Sequence, residues 1–203
     1  MLKGFPKDFQ LKNGETAVIR PIDKRDKEKL HEFFIELPLR DRMFLKEDVT
    51  SEEVINRWFK DVNFARVIPL IVLVKDRIIA DGTLHIDEFG WARHVGEIRL
   101  VVAKDFRKFG VATHLLRELY ILAMKMKLEK LVGKMMAQQK RAVTLFTDLG
   151  FKREATLKGH VKDRNGRNHD LIIMSHKVDA HWNELENMIT GYHDDFSGDF
   201  SGM

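Results

Sequence analysis

The residues best suited to bind an anion lie in RLVVAKDFRKFGVATHLL, residues 99–116. A run of strand formers reaches an aspartate. Two bases follow, then one glycine and the apolar spacing of a helix. Arg107, Lys108, Phe109, Gly110, Val111 and Ala112 fit the pattern Arg/Gln-x-x-Gly-x-Gly/Ala. Where a strand turns into a helix, the first helical N–H groups lack carbonyl partners and the helix dipole is positive. A glycine there lets the backbone approach a phosphate, and neighbouring bases add charge. The indicated chemistry is pyrophosphate binding. The competing reading is a plain strand-to-helix turn with solvated bases, and the pattern alone is short enough to occur by chance. It is neither a P-loop nor the Gly-x-Gly-x-x-Gly dinucleotide fingerprint.

The surrounding elements have to position that junction. Residues 16–22 (TAVIRPI) predict a first strand. Leu30, Phe33, Phe34 and Leu37 then fall on one helical face, and a polar loop follows over residues 38–48. Thr50 and Glu53 make a capping-box pattern ahead of a second apolar stripe: Val54, Ile55, Trp58, Phe59 and Val62. Residues 66–74, 77–86 and 94–102 are rich in β-branched residues and bounded by turns, which predicts an antiparallel meander. Pro69 within the first of these suggests an edge strand or a bulge.

After the junction, Val111, Leu115, Leu116, Leu119, Leu122, Ala123 and Met126 predict a long helix with one buried face. A short strand over 130–136, a helix over 138–149 closed by Gly150, and a strand from Phe151 come next. Asn165-Gly166 marks a hairpin into the strand-like run 171–178. From residue 179 the pattern fades. Residues 181–190 could add a short helix, and the repeated DFSG reads as a loose tail unless Phe196 and Phe200 dock on a partner chain. The predicted order β-α-α-β-β-β-α-β-α-β-β implies an α+β fold with a mixed, mostly antiparallel sheet flanked by helices.

The chain has 203 residues, 44% hydrophobic and 33% charged, which suits one globular domain with some length left over. We expect an extension over 1–15, a domain over 16–178 and a second extension over 179–203. With no cysteine, disulfides, thiolate metal sites and a cysteine nucleophile are excluded. The N-terminal residues lack the apolar core of a signal peptide, and no apolar run has the length of a membrane span, so the expected location is the cytoplasm with no membrane partner. The net charge of +4 is spread among acids. No helix carries a basic stripe with interleaved aromatics, which speaks against a nucleic-acid partner. Nine histidines include no His-Glu-x-x-His and no persuasive ligand spacing, so no metal is expected.

The element order and four local features resemble the GNAT superfamily of acetyl-CoA-dependent N-acetyltransferases. These are Val101-Val102 ahead of the loop, the Arg-x-x-Gly-x-Ala turn, the helix end LFTDLGF (145–151), and the closing Asn-Gly hairpin. The resemblance covers about residues 16–178. Within it, VGEIRLVVAKDFRKFG and FFIELPLRDRMF resemble bacterial Pat-type protein-lysine acetyltransferases. It implies acetyl-CoA as co-substrate and an amine acceptor, a protein lysine or a small molecule, and leaves a homodimer open. Backbone groups of Leu100, Val101 and Val102 would hold the acetyl carbonyl and the pantetheine arm. Residues 107–112 would hold the pyrophosphate, and the helix around Gln139 and Phe146 would line the other side of the thioester.

Many members carry Asn at the position of Gln139 and Tyr at that of Phe146. The tyrosine is the usual proton donor to the leaving thiolate, and Phe146 cannot donate. Lys134 stands where ribosomal-protein acetyltransferases carry a glutamate. The resemblance also places a catalytic glutamate at Glu97, a base that could act directly or through one water. Glu97 also shares a strand face with Arg99 and could simply pair with it. His85, His94, His160 and His169 fall on or near strands, where they could border the acceptor or serve as structural residues. The rival to an enzyme is a non-catalytic acetyl-CoA-binding regulatory module.

Overall fold

The computed structural model describes residues 2–43, 45–60, 64–163 and 165–178. The strands are β1 (Lys7–Gln10), β2 (Thr16–Pro21), β3 (Val67–Val74), β4 (Arg77–Ile86), β5 (Val95–Val102), β6 (Lys130–Met136), β7 (Lys152–Lys162) and β8 (Asn168–Lys177). The helices are α1 (Lys27–Glu36), α2 (Leu39–Arg42), α3 (Glu52–Lys60), α4 (Val111–Lys125) and α5 (Lys140–Asp148). One eight-stranded sheet runs β1-β2-β3-β4-β5-β6-β8-β7. Its pairs are antiparallel except β5 with β6. This is the expected α+β architecture.

Helices cover both faces, which is why β3 is apolar along nearly its whole length. On one face α4 lies close because β4 narrows to a glycine: a Cβ on Gly82 would come within 2.8 Å of Leu115. On the other face α1 and α3 bury Leu30, Phe33, Phe34 and Ile55 against Ile71, Leu73 and Ile78. Lys75 and Asp76 both take positive φ (48° and 70°), the geometry of a two-residue turn that matches strand twist.

Several details differ from the sequence expectation. β1 adds an edge strand within the first fifteen residues, where four residues of alternating exposure give too short a pattern to notice. Pro69 lies in an interior strand, and the bulge falls at Val72/Leu73 instead. The proline is tolerated because its carbonyl accepts the Ile22 N–H at 3.2 Å, so its ring nitrogen faces the point where β2 has ended. The polar loop after α1 contains the single turn α2. The closing hairpin spreads over residues 163–167, organised by the Asp163 carboxylate, which accepts the N–H groups of Asn165 (2.8 Å) and Arg167 (3.0 Å). Val62, the expected helix over 181–190 and the DFSG repeat with Phe196 and Phe200 lie outside the described residues. No described helix is long and apolar enough to cross a membrane.

Candidate active site

β5 and β6 pair in parallel only from Val95↔Lys130 to Ile98↔Gly133, although β5 runs on to Val102 and β6 to Met136. Beyond Ile98 the two strands part. The gap belongs to a cleft of about 2470 Å³, lined among others by Leu100, Val101, Val102, Gly110, Ala112 and Gln139. Pockets for drug-sized ligands measure roughly 300–1,000 Å³. This cleft has room for a long ligand and a second molecule.

The glycine loop closes one end of it. After β5 a short 3-10 turn leads to Lys108 (φ 74°) and Gly110 (φ 88°), and α4 begins at Val111. Space in front of Gly110 is open: an added Cβ would meet only His114, at 3.8 Å. The first turn of α4 carries no acidic residue that would repel an anion. These features fit a pyrophosphate. Arg107 is engaged elsewhere: its guanidinium donates to the Val102 carbonyl (3.1 and 3.0 Å) and to Asp41 of α2 (2.8 Å). It braces the loop against β5 and α2; exposed Lys108 beside it also lines the cleft. Phe109 packs inward against the core rather than lining the cleft, and its carbonyl accepts the Lys12 N–H at 3.2 Å.

Across the gap, Phe146 is only 4% exposed. Its ring lies over Gly133, where an added Cβ would sit 2.3 Å from Cε1, and packs edge-on against Phe151 with centroids 4.8 Å apart. At the position expected to hold a tyrosine, the wall therefore offers only hydrocarbon. Gln139 ties the start of α5 to the end of β6 by accepting the Met136 N–H at 2.8 Å.

A polar patch occupies the sheet face opposite α4. Glu97 accepts from Lys46 Nζ at 2.5 Å, Arg99 Nε at 2.7 Å and Lys134 Nζ at 2.8 Å. Burial alone would push its carboxyl up, but the three cations outweigh this and hold it down to about 2. Glu97 is thus ionised at working pH and a weak proton acceptor. The expected pairing with Arg99 is present, joined by two lysines. Lys46 comes from the segment between α2 and α3.

His85, directly across from Glu97 in the register, hydrogen-bonds Thr83 Oγ1 at 2.9 Å. Burial, helped by Arg99, pushes its pKa down to about 4. Of the four histidines that could border the acceptor or serve as structural residues, His85 lines the cleft. His94 and His160 are exposed and outside the cleft lining, while His169 is bonded to Asp163 at 2.7 Å. Among the described residues, no group of three or more His, Asp or Glu side chains is arranged to hold a metal.

One cleft residue escaped the sequence reading. Asp81 of β4 faces the cleft beside Val101, its partner in the register, with Ile71 of β3 on its other side. Burial alone pushes its carboxyl up to about 7. The signal in the sequence was a carboxylate inside a run of strand formers, where charge is costly without a use.

A family model described as an acetyltransferase (GNAT) domain matches residues 19–173. Among solved structures, a GNAT-family acetyltransferase from Streptococcus pneumoniae superimposes with a TM-score of 0.70 at 20% identity, covering 79% of this chain and 99% of that one. The GNAT domain of S. lividans PAT gives 0.72 at 17% identity, covering 86% and 98%. The structure of yncA from Salmonella typhimurium with its cofactor acetyl-CoA gives 0.70 at 20%, covering 81% and 95%. The comparison with curated proteins finds no significant match.

Proposed function

We propose that this chain, which belongs to the GNAT acetyltransferase family, moves an acetyl group from acetyl-CoA to a primary amine by direct attack in a ternary complex. The observation that carries this reading is the parting of β5 and β6 beside the Gly110 turn, which supplies a strand edge and an anion cradle in one cleft. Residues 16–178 form the catalytic unit on this reading, preceded by an N-terminal extension that lends β1 to the sheet. The location is cytoplasmic.

In this scheme the free N–H groups at the start of α4, with Lys108, hold the pyrophosphate. Leu100, Val101 and Val102 hold the pantetheine arm and acetyl carbonyl through their backbone, and Arg107 keeps that loop in place. Gln139 and Phe146 shape the opposite wall and exclude water. Acetyl-CoA supplies the activated acyl group, and the chain's work is orientation and proton handling. Because its own acid strength makes Glu97 a poor base, its role is to receive the acceptor's ammonium in the place Lys46 fills. A lysine ammonium already sits there at 2.5 Å, which favours an alkylammonium acceptor. A protein lysine is the preferred class, in keeping with the Pat-type resemblance and the volume of the cleft; a small amine is the alternative acceptor.

The test is thiol release from acetyl-CoA with a panel of lysine peptides and small amines. Amine-dependent release supports the proposal. Tight acetyl-CoA binding without release favours the regulatory-module reading, to which the hydrocarbon side chain of Phe146 lends its one specific support.

A further inference from the structure

The cleft contains two carboxylates that could serve acetyl transfer, and their surroundings divide the work between them. Glu97 is enclosed by Lys46, Arg99 and Lys134. Asp81 has no charged neighbour acting on it among the described residues: its altered acidity has burial as its sole cause. Half-buried at the cleft wall between Ile71 and Val101, its carboxylate loses hydration without gaining a cation, which costs folding energy.

Its position is specific. Asp81 pairs with Val101, the middle of the strand segment left open where β5 parts from β6. Side chains directly opposite in an antiparallel pair have Cβ atoms about 4.5–5.5 Å apart. Residues 81, 83 and 85 of β4 and 97, 99 and 101 of β5 alternate onto one face. That face also carries Glu97, the docking point for the acceptor. Asp81 therefore lies beside the strand segment that would hold the acetyl carbonyl, on the side of β5 away from β6 and four strand positions beyond the level of Glu97.

We infer that Asp81 is the general base of the reaction, placed by β4 across from Val101 to take the proton from the acceptor's ammonium. This rests on the acetyl-transfer reading above. The balance is as follows. Once the acceptor has advanced from Glu97 to the thioester beside Val101, its ammonium gives one proton, directly or through one water, to the Asp81 carboxylate, which passes it to solvent. The freed nitrogen forms the C–N bond to the acetyl carbon. As the C–S bond breaks, the second proton leaves nitrogen and ends on the thiolate by way of water, since Phe146 cannot donate it.

The groups facing Asp81 allow a near-neutral base. β3 presents Ile71 and Pro69, and the covering helices α1 and α3 contribute Leu30, Phe34 and Trp58 to the cleft wall, with Arg57 also lining it. On the sheet itself the polar groups on that face are Thr83 and His85 of β4, Arg99 and Glu97 of β5, and Arg20 of β2, which is in register with Ile71 and is held by Asp26. His85 is the competing base, but its pKa of about 4 makes it weaker. A base is most effective when its pKa lies near working pH, and burial raises Asp81 to about 7.

The experiment compares the full-length chain with Asp81→Asn, using acetyl-CoA and two acceptors: a lysine peptide and an alkoxyamine, which is unprotonated at neutral pH. We expect Asp81→Asn to lower kcat with the peptide by about 10²- to 10⁴-fold at neutral pH. Acetyl-CoA affinity should be unchanged, and the loss should be much smaller with the alkoxyamine. A variant within a few-fold of the parent on the peptide overturns the role of Asp81 alone. A parent that releases no thiol with either acceptor overturns the acetyl-transfer reading and this role with it. Should the variant fail to fold, carbon-13 titration of the parent decides: the Asp81 carboxyl should titrate near neutral pH and respond to acetyl-CoA. An ordinary carboxylate titration near 4, indifferent to acetyl-CoA, overturns the inference.

Discussion

Replacing Glu97 by glutamine tests whether the three-cation cage is real and what it is for. The cage holds the Glu97 carboxyl from its usual 4.5 down to about 2. At 1.36 kcal/mol per pK unit this is about 3 kcal/mol of preference for the ionised form. The side chains of Lys46, Lys134 and Arg99 are 51%, 38% and 40% exposed, so solvent screens much of it. The share felt in folding is therefore about 1–2 kcal/mol. Because the folded-state pKa is depressed, this stability is fully present above the unfolded value of 4.5 and is lost as pH falls from there towards about 2. Urea unfolding of parent and Glu97→Gln should therefore differ by about 1–2 kcal/mol at neutral pH, keep that gap down to about pH 5, narrow below about pH 4.5, and converge near pH 2. A gap that stays constant into the acid range, or none at neutral pH, refutes the cage. Kinetics then assign its use. Losing one charge-assisted contact of about 1.5–3 kcal/mol should raise KM for a lysine peptide about 10- to 100-fold while kcat stays within a few-fold. A large fall in kcat at unchanged KM would make Glu97 itself the proton acceptor.

Three further outcomes follow from the same geometry. Gly110→Trp sets bulk and a strained backbone at a φ of 88°; a folded variant should lose acetyl-CoA binding by isothermal titration, and parental affinity would place the pyrophosphate elsewhere. Gly133→Ala drives a methyl into the Phe146 ring at 2.3 Å and should cost about 1–3 kcal/mol in denaturant unfolding; an unchanged midpoint would mean the ring does not pack there. Asp41→Asn removes the charge that anchors Arg107, and we expect acetyl-CoA affinity to fall about two- to tenfold, read by fluorescence titration, with no change if the brace is idle.

The sequence by itself determined the order of the elements from residue 16 onward, apart from the single turn α2, and the glycine turn between β5 and α4. Those features are written locally. The strand at 130–136 is a short run between turns, the apolar stripe of α4 recurs at helical spacing, and Gly110 and Gly150 stand where a left-handed backbone is needed. The family resemblance rests on the same local signals. β1 escaped because four alternating residues carry too little pattern. Pro69 misled because proline reports a missing N–H bond, and only the sheet reveals that β2 has already ended beside it.

Tertiary structure decided what the side chains do. Glu97 and Arg99 are two residues apart, and their pairing was legible. Lys46 and Lys134 lie 51 and 37 positions from Glu97, and the fold alone brings them to it. Arg107 looked like a phosphate ligand until Asp41, 66 residues away, took its guanidinium. In sequence Asp81 carries one cue, its place inside a run of strand formers, which assigns it no role. What sets it apart is its neighbours: Ile71 on one strand, Val101 on the next, and an open cleft in front. The acidity of a side chain depends on the dielectric and the charges within a few ångströms. Those surroundings are supplied by strands distant in sequence, so the chemistry of the site became visible only once the sheet was assembled.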